Sequence, residues 1–276
     1  MDDDKGLTPY QVRRFRSVIR SHYQKNQRDL PWRRTTDPYR IMVSEIMLQQ
    51  TQVDRVAEKY EQFIRLFPKV KTLAAAPLAE VLRAWQGLGY NRRAIALHTA
   101  AKRIADEYGG RIPDSMQDLI KLPGIGAYTS AAIMAFAHNQ PVTVIETNIR
   151  TVFIHFFFAD RNQVADSDIL PLVERTLDKK RPRDWYNALM DYGTLLKQEY
   201  KNPGRKSVRY QRQSTFAGSD RQVRGQILRT ILETGDMDEL QLLKSLNGDK
   251  TRSSMILKKL LEEGFLTRKQ NRITPA

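Results

Sequence analysis

The sequence has 276 residues, 41% of them hydrophobic, which is enough for one large domain or for one domain with a small appendage. No apolar run approaches the roughly 18 residues that cross a membrane, and the acidic start lacks a secretory apolar region, so we expect a soluble, cytoplasmic protein. A net charge of +15 favours nucleic acid over an ordinary basic enzyme, and the lack of cysteine excludes disulfides, thiolate catalysis and cysteine-bound zinc or iron–sulfur sites.

Apolar residues recur at helical spacing along most of the chain, and strand-like alternation is scarce. The acidic residues 1–6 resemble the remnant of an engineered tag, and we exclude them from the fold. Thr8 predicts an N-cap, with Pro9 at the first helical position. Gly, Pro and polar residues separate the helices. Helices are predicted over 8–24, 38–47, 54–66, 73–76, 78–85, 92–108, 114–120, 128–138, 147–158, 167–178 and 184–199.

The composition changes after residue 200. Residues 201–218 are basic and rich in turn formers, which predicts a linker. Three helices are then predicted over 220–233, 238–246 and 252–263, followed by a short β-hairpin over 264–274. This order predicts a small winged-helix-like module over 219–276, with a helical cap on the main domain as the alternative.

The loop from Leu122 to Gly126 lies between two predicted helices. Gly124 and Gly126 allow the backbone to approach an anion closely, and the amides at the start of the next helix, from Ala127, point toward it. Such contacts position DNA without reading its sequence. Many helix connections contain Pro-Gly-x-Gly, so the loop alone is weak evidence for DNA binding.

Several segments together resemble the MutY-like adenine glycosylases of the helix-hairpin-helix (endonuclease III) superfamily. Besides the loop, these segments are Leu30-Pro-Trp, Pro38-Tyr39, Ser44-Glu-Ile-Met-Leu-Gln-Gln-Thr-Gln-Val53, Trp85-x-Gly-Leu-Gly-Tyr90 and Met190-Asp-Tyr-Gly193. They follow the order found in that family and cover roughly residues 8–200.

The resemblance implies an all-α, helix-hairpin-helix glycosylase domain over 7–200. A six-helix barrel would span about 30–140, and a second helical subdomain would combine 7–29 with 141–200, with the active site between them. Relatives usually bind a four-iron cluster through four cysteines. Lys197 stands where the first cysteine would be, so we expect a clusterless variant without cofactor, beyond a monovalent cation at the hairpin loop.

Breaking an N-glycosidic bond passes through an oxocarbenium-like transition state, which calls for two carboxyl groups in different environments. Glu45 lies in an otherwise apolar stretch, where burial favours a protonated acid; the alternative is a solvent-facing Glu. In the family the matching Glu protonates adenine. Glu146 takes the place of the family's catalytic Asp, one methylene longer, and either stabilises the cation or is a structural acid near the helix from Thr147. Asn148 matches the family Asn that orders this loop.

Tyr128 predicts the reaction type. Endonuclease III-like lyases carry a Lys there, which forms a Schiff base with the sugar. A tyrosine has no amine, so we expect a monofunctional enzyme in which Tyr128 lines the pocket, with packing in the core as the alternative.

The remaining predicted site residues contact DNA. Glutamine side chains offer donors and acceptors to a flipped base or its orphaned partner. The aromatic ring of Tyr90 matches the residue that wedges into the duplex. Arginines at the next helix start could hold phosphates, although exposed arginines often do nothing specific. The set comprises Gln49, Gln50, Thr51, Gln52, Tyr90, Arg92, Arg93, Leu122, Gly124, Gly126 and Ala127.

The sequence therefore predicts a monomeric, monofunctional DNA glycosylase that excises a mispaired base from double-stranded DNA, with adenine favoured. Three alternatives remain: a thymine or uracil mismatch glycosylase, a catalytically impaired lesion-binding protein, and a transcriptional regulator suggested by the C-terminal module.

Overall fold

The computed structural model describes residues 7–213, 215–246 and 249–276, and α-helices dominate them. The segment 1–6, interpreted above as a tag remnant, lies outside the described residues. The helices are α1 Pro9–Asn26, α2 Pro38–Leu48, α3 Val53–Leu66, α4 Val70–Ala75, α5 Leu78–Trp85, α6 Arg92–Glu107, α7 Met116–Leu119, α8 Ala127–His138, α9 Thr147–Phe157, α10 Asp166–Thr176, α11 Pro182–Glu199, α12 Asp220–Thr234, α13 Glu239–Ser245 and α14 Lys250–Glu262. Short 3₁₀ helices span Pro31–Arg34 and Pro203–Lys206, and the strands are β1 Met237–Asp238, β2 Leu266–Lys269 and β3 Arg272–Pro275.

Short polar residues begin several of these helices. Thr8 caps α1: its Oγ1 accepts a hydrogen bond from the Gln11 amide at 3.2 Å, and the Gln11 side chain accepts one from the Thr8 amide at 2.7 Å. Asp238 and Asp249 accept amide hydrogen bonds at the starts of α13 and α14 in the same way. These caps satisfy amides that have no partner within the helix, so the sequence itself fixes where the helices begin.

The described residues form two compact units. Unit 1 comprises residues up to 42, 114–120 and 125–212. Its core is aromatic: the Phe15 ring lies 5.4 Å from Phe153 and 5.8 Å from Trp185, which joins α1, α9 and α11. The buried Asp191 carboxylate accepts hydrogen bonds from the guanidinium groups of Arg28 and Arg33, which ties the chain after α1 to α11.

Unit 2 comprises residues 43–113, 121–124 and those from 213 onward. Phe63 of α3 packs edge-on against Trp85 of α5, with both side chains fully buried. The helices α12, α13 and α14 pack against a three-stranded antiparallel sheet. The strand order is β1-β3-β2, in which Met237 pairs with Ile273 and Leu266 pairs with Pro275.

The element order of residues 219–276 is helix, strand, helix, helix and hairpin, which is a winged-helix arrangement. The predicted three helices and hairpin are confirmed. Strand β1 was not predicted, because two residues carry no detectable alternation. Within the described part of the chain, no helix is both long enough and apolar enough to span a membrane.

Candidate active site and nucleic-acid interface

Glu45 lies inside α2 in unit 2, and it is 5% exposed. The preceding Val43 and Ser44 and the following Ile46 and Met47 are also buried. This part of α2 is buried on every side, so the carboxyl group is enclosed. The predicted environment of Glu45 is therefore present.

The polar segment after α2 is held in place by one arginine. Arg93 Nη1 donates hydrogen bonds to the carbonyl oxygens of Met47 at 2.7 Å and Gln49 at 2.5 Å. Arg93 Nη2 donates to Thr51 Oγ1 at 2.9 Å and to the carbonyl oxygen of Gly89 at 3.0 Å. The three carbonyl oxygens among these acceptors are ones that the end of α2 and the Gly87–Gly89 turn leave without helical partners.

The predicted phosphate contact of Arg93 is therefore corrected. Its side chain is buried, and burial lowers the pKa of its guanidinium to about 10. An arginine that is turned inward and bonded to carbonyls fixes the polar segment and leaves phosphates to other groups. Next to this arginine, Gln50 has a φ of +57° and is exposed, as is Gln52, so the segment presents two amide side chains to solvent.

Arg92 lies in the same first turn of α6, with 75% of its side chain exposed. Its guanidinium forms a two-point ion pair with Glu263, at 3.0 and 2.5 Å, and Arg224 binds the same carboxylate. The hydrogen bond from Arg92, joined by that from Arg224, lowers the pKa of Glu263 to about 2. Arg92 thus joins α6 to the winged-helix module, a partner that its sequence neighbours did not reveal.

Tyr90 follows two glycines in a tight turn and has a φ of +48° itself. Its hydroxyl group accepts hydrogen bonds from Gln213 Nε2 at 2.9 Å and from Arg221 Nη1 at 2.8 Å. Gln213 Nε2 also donates to the carbonyl oxygen of Gln50 at 3.3 Å. Sequence reasoning missed Gln213 and Arg221, because only a basic linker and a helix start were visible there.

The helix-hairpin-helix loop has the conformation that its glycines predict. Gly124 has a φ of +79°, and a Cβ there would lie 3.0 Å from that of Ala96. Its carbonyl oxygen accepts a hydrogen bond from Gln49 Nε2 at 3.1 Å. Leu122, the first residue of the loop, is buried.

The start of α8 is open at the end of this loop. Gly126 is its N-cap, and within the described residues no side chain caps it. Gly126 and Ala127 are exposed, so amides of the first helical turn can meet an anion. Tyr128 follows in this turn and is half-buried. No side chain in the turn, residues 127–130, carries an amine.

Glu146 lies in unit 1 as the N-cap of α9. Its Oε1 accepts hydrogen bonds from the amides of Asn148 at 2.7 Å and Ile149 at 2.9 Å. Its Oε2 accepts one from Thr147 Oγ1 at 2.9 Å and one from Asn148 Nδ2 at 3.3 Å. Glu146 therefore caps α9, which is the structural role that the sequence left open. Its side chain reaches the free amides of the first turn although shorter acids are the usual N-caps. A helix N-terminus also favours a negative charge at this position.

Lys197 of α11 reaches the same cluster, with its Nζ 2.6 Å from Asn148 Oδ1. Burial lowers the pKa of this lysine, and the nearby charge of Glu146 opposes that effect. The sequence had marked Lys197 only as the residue in place of the relatives' first cysteine.

The residues around Lys197 do not fit an iron–sulfur cluster. The chain has no cysteine, an ammonium group offers no lone pair to iron, and the following loop forms a 3₁₀ helix over Pro203–Lys206. Asp166, at the start of α10, accepts a hydrogen bond from Arg150 of α9 and forms an ion pair with Arg209. Because Arg209 follows the 3₁₀ helix, this ion pair connects the loop to α9 and α10. Among the described residues, no group of His, Asp and Glu is arranged to hold a metal ion.

The chain matches the HhH-GPD superfamily of base excision DNA repair proteins over residues 43–171. It is 34% identical over 266 residues to the adenine DNA glycosylase of Mycolicibacterium smegmatis, which covers 88% of this chain and 91% of that protein. The chain belongs to the HhH-GPD superfamily. Within it the chain is MutY-like, since it is also 34% identical over 232 residues to the adenine DNA glycosylase of Mycobacterium tuberculosis, covering 76% of this chain and 75% of that one.

Solved structures agree on the fold. A thermostable thymine-DNA glycosylase is 26% identical, with a TM-score of 0.64 over 72% of this chain and 93% of that one. A trapped endonuclease III–DNA covalent intermediate, at 21% identity, has a TM-score of 0.54 over 69% and 86% of the two chains. The predicted helix-hairpin-helix glycosylase fold and the predicted function, a DNA glycosylase of base excision repair, are confirmed.

Proposed function

We propose that this chain is a monofunctional adenine glycosylase that removes adenine mispaired in double-stranded DNA. The observation that carries the proposal is a pair of carboxyl groups that differ in burial: Glu45 is 5% exposed inside α2, whereas Glu146 is half-buried and accepts four hydrogen bonds at the start of α9. The two mycobacterial relatives are both named adenine DNA glycosylase, which supports adenine as the base.

The chemistry divides between these two residues. Burial disfavours the charged form of a carboxyl group, which suits Glu45 to give its proton to a ring nitrogen of the flipped adenine. The bond between C1′ and the base nitrogen then breaks, and its electron pair leaves with the neutral base. The carboxylate of Glu146 stabilises the positive charge that develops on the sugar. Water adds at C1′ and loses a proton, which leaves an abasic site.

Three parts of the chain would contact the DNA. The open start of α8 at Gly126 and Ala127 binds a backbone phosphate without reading sequence. The exposed amides of Gln50 and Gln52 read the edges of bases beside the extruded nucleotide. Tyr90 fills the space that the flipped base leaves in the stack.

Tyr128 supports the absence of lyase activity. A lyase needs an amine that attacks C1′ and forms a Schiff base, and the first turn of α8 carries a phenol in that position. The enzyme would therefore release adenine and leave the strand intact until alkali cleaves it.

The test is a single-turnover assay with excess enzyme and labelled duplexes that each contain one candidate pair. The pairs are adenine opposite 8-oxoguanine, adenine opposite guanine, thymine opposite guanine and uracil opposite guanine. The proposal expects alkali-dependent cleavage at adenine, and cleavage only at thymine or uracil would contradict it.

Thymine is the second candidate base, because the 26% identical solved structure is that of a thymine-DNA glycosylase. The two thymine and uracil duplexes in the same assay decide between the candidates. Tight binding to all four duplexes without cleavage would favour lesion binding by an impaired enzyme.

A further inference from the structure

Lys197 is a cation held in a half-buried position beside the proposed catalytic carboxylate. Its Nζ lies 2.6 Å from Asn148 Oδ1, and Asn148 Nδ2 lies 3.3 Å from Glu146 Oε2. The three side chains thus form a chain from ammonium to amide to carboxylate. Burying an ammonium group costs free energy, and a neutral amide offsets little of that cost by itself.

The ammonium group determines which way the Asn148 amide points. An ammonium group has donors and no acceptor, so only the oxygen of the amide can face it. The amide nitrogen must then face Glu146, to which it donates a hydrogen bond. Without Lys197, rotation of the amide by half a turn would direct its oxygen at the carboxylate and repel it.

The packing of α11 against α9 brings Lys197 to this position. At Gly193, one helical turn before Lys197 on the same face of α11, an added Cβ would lie 2.5 Å from the backbone oxygen of Asn148. Only glycine permits the two helices to approach so closely. Gly193 and Lys197 of α11 therefore both contact Asn148 of α9.

We infer that Lys197 is a positioning residue for base excision: it orients the Asn148 amide so that its nitrogen donates to Glu146 and holds that carboxylate facing the reacting sugar. The inference rests on the proposed function, since it requires Glu146 to act in the reaction.

Lys197→Met tests the inference, because methionine keeps the length and the apolar stem but removes the charge and the donors. If Lys197 is purely structural, the variant should lose stability, and its rate should fall only to that extent. If Lys197 is a positioning residue, the rate should fall while stability is kept. Methionine removes one hydrogen bond to Asn148 but also removes the cost of burying a charge, and these two effects offset each other, so we expect stability to change little. We expect the single-turnover rate on the reactive duplex to fall by about tenfold to a hundredfold, as for other losses of a positioning contact. We expect duplex affinity to change less than about threefold and the melting temperature not to fall.

Two further variants complete the experiment. Lys179→Met removes an equally positive but exposed lysine from unit 1 and should leave the rate unchanged. Asn148→Ala combined with Lys197→Met should lose no more rate than Asn148→Ala alone, because both changes break the same chain.

Three outcomes would overturn the inference: a rate within about twofold of wild type, a rate loss that is matched by loss of stability, or losses that add in the double variant. Glu146→Gln keeps this failure distinct from failure of the proposed function. If Glu146→Gln is inactive and Lys197→Met is fully active, only the role of Lys197 is wrong. If Glu146→Gln is active, the proposed catalytic carboxylate is itself wrong.

Discussion

Adjacent arginines in the first turn of α6 have opposite roles. Arg93 is turned inward and bonded to carbonyls, whereas Arg92 is exposed and paired with Glu263. The sequence predicted the same role for both, because side-chain direction on a helix cannot be read from two neighbouring like residues alone. Burial and the carbonyls at the end of α2 decide between them.

Arg93→Met should therefore destabilise the protein strongly. Several buried carbonyls would lose their donor, and we expect the free energy of unfolding to fall by about 3 kcal/mol. Arg92→Met is the matched control, with an expected loss of at most about 1 kcal/mol, because Arg92 itself is exposed and Arg224 still pairs with Glu263. Urea denaturation followed by circular dichroism measures both, and equal losses would contradict the assignment.

Tyr128 carries the prediction of reaction type. Borohydride should trap no covalent adduct between the wild-type protein and the reactive duplex, because no amine occupies this position. Tyr128→Lys should gain a trapped adduct, whereas Tyr210→Lys, which introduces a lysine at an exposed tyrosine, should not. An adduct formed by the wild type and lost in Lys197→Met would show that the enzyme is not monofunctional and that Lys197 supplies the amine.

At the scale of elements, most of the fold could be predicted from the sequence. Helical periodicity, together with the cap at Thr8, predicted the helices to within a few residues, since these are local effects. Strand β1 and the 3₁₀ helix at Pro203–Lys206 were missed, because each is short and depends on its neighbours.

Of the candidate site, the sequence predicted the residue types but not the contacts. The burial of Glu45 followed from its apolar neighbours. The contacts of Tyr90 with Gln213 and Arg221, and of Asn148 with Lys197, join residues 49 or more positions apart. No local pattern encodes such pairs, so they required the folded chain.

The close approach of α9 and α11 gives a prediction at Gly193. Gly193→Ala would place a Cβ 2.5 Å from the Asn148 backbone oxygen, and forcing the helices apart should cost about 2 kcal/mol or more. Excision should fall too, since Asn148 and Glu146 move with α9. Gly225→Ala in α12 is the control: its Cβ meets nothing within 4 Å, so alanine should stabilise by about 0.5–1 kcal/mol. Thermal melts and the single-turnover rate measure both variants, and a harmless Gly193→Ala would contradict the packing argument.

At the scale of the molecule, Glu263 links acid stability to the winged-helix module. Its pKa in the folded protein is about 2, below the ordinary 4.5. A lowered pKa contributes stability that is fully present above about pH 4.5 and is lost as the pH falls toward 2.

Glu263→Gln should therefore lower the melting temperature at pH 6 and make little difference near pH 2. Melting curves of both proteins across this range measure the difference, which should shrink as the pH falls. A constant difference across the range would show that the two arginines do not hold this carboxylate ionised.

The central claim is the proposal that this chain excises adenine and requires both Glu45 and Glu146 to do so. The most direct measurement is single-turnover release of free adenine, identified by mass spectrometry, from a duplex with adenine opposite 8-oxoguanine. Wild type should release adenine, while Glu45→Gln and Glu146→Gln should each bind the duplex and lose about a hundredfold or more in rate. Release of adenine at the wild-type rate by either variant, or release of a different base by the wild type, would contradict the account.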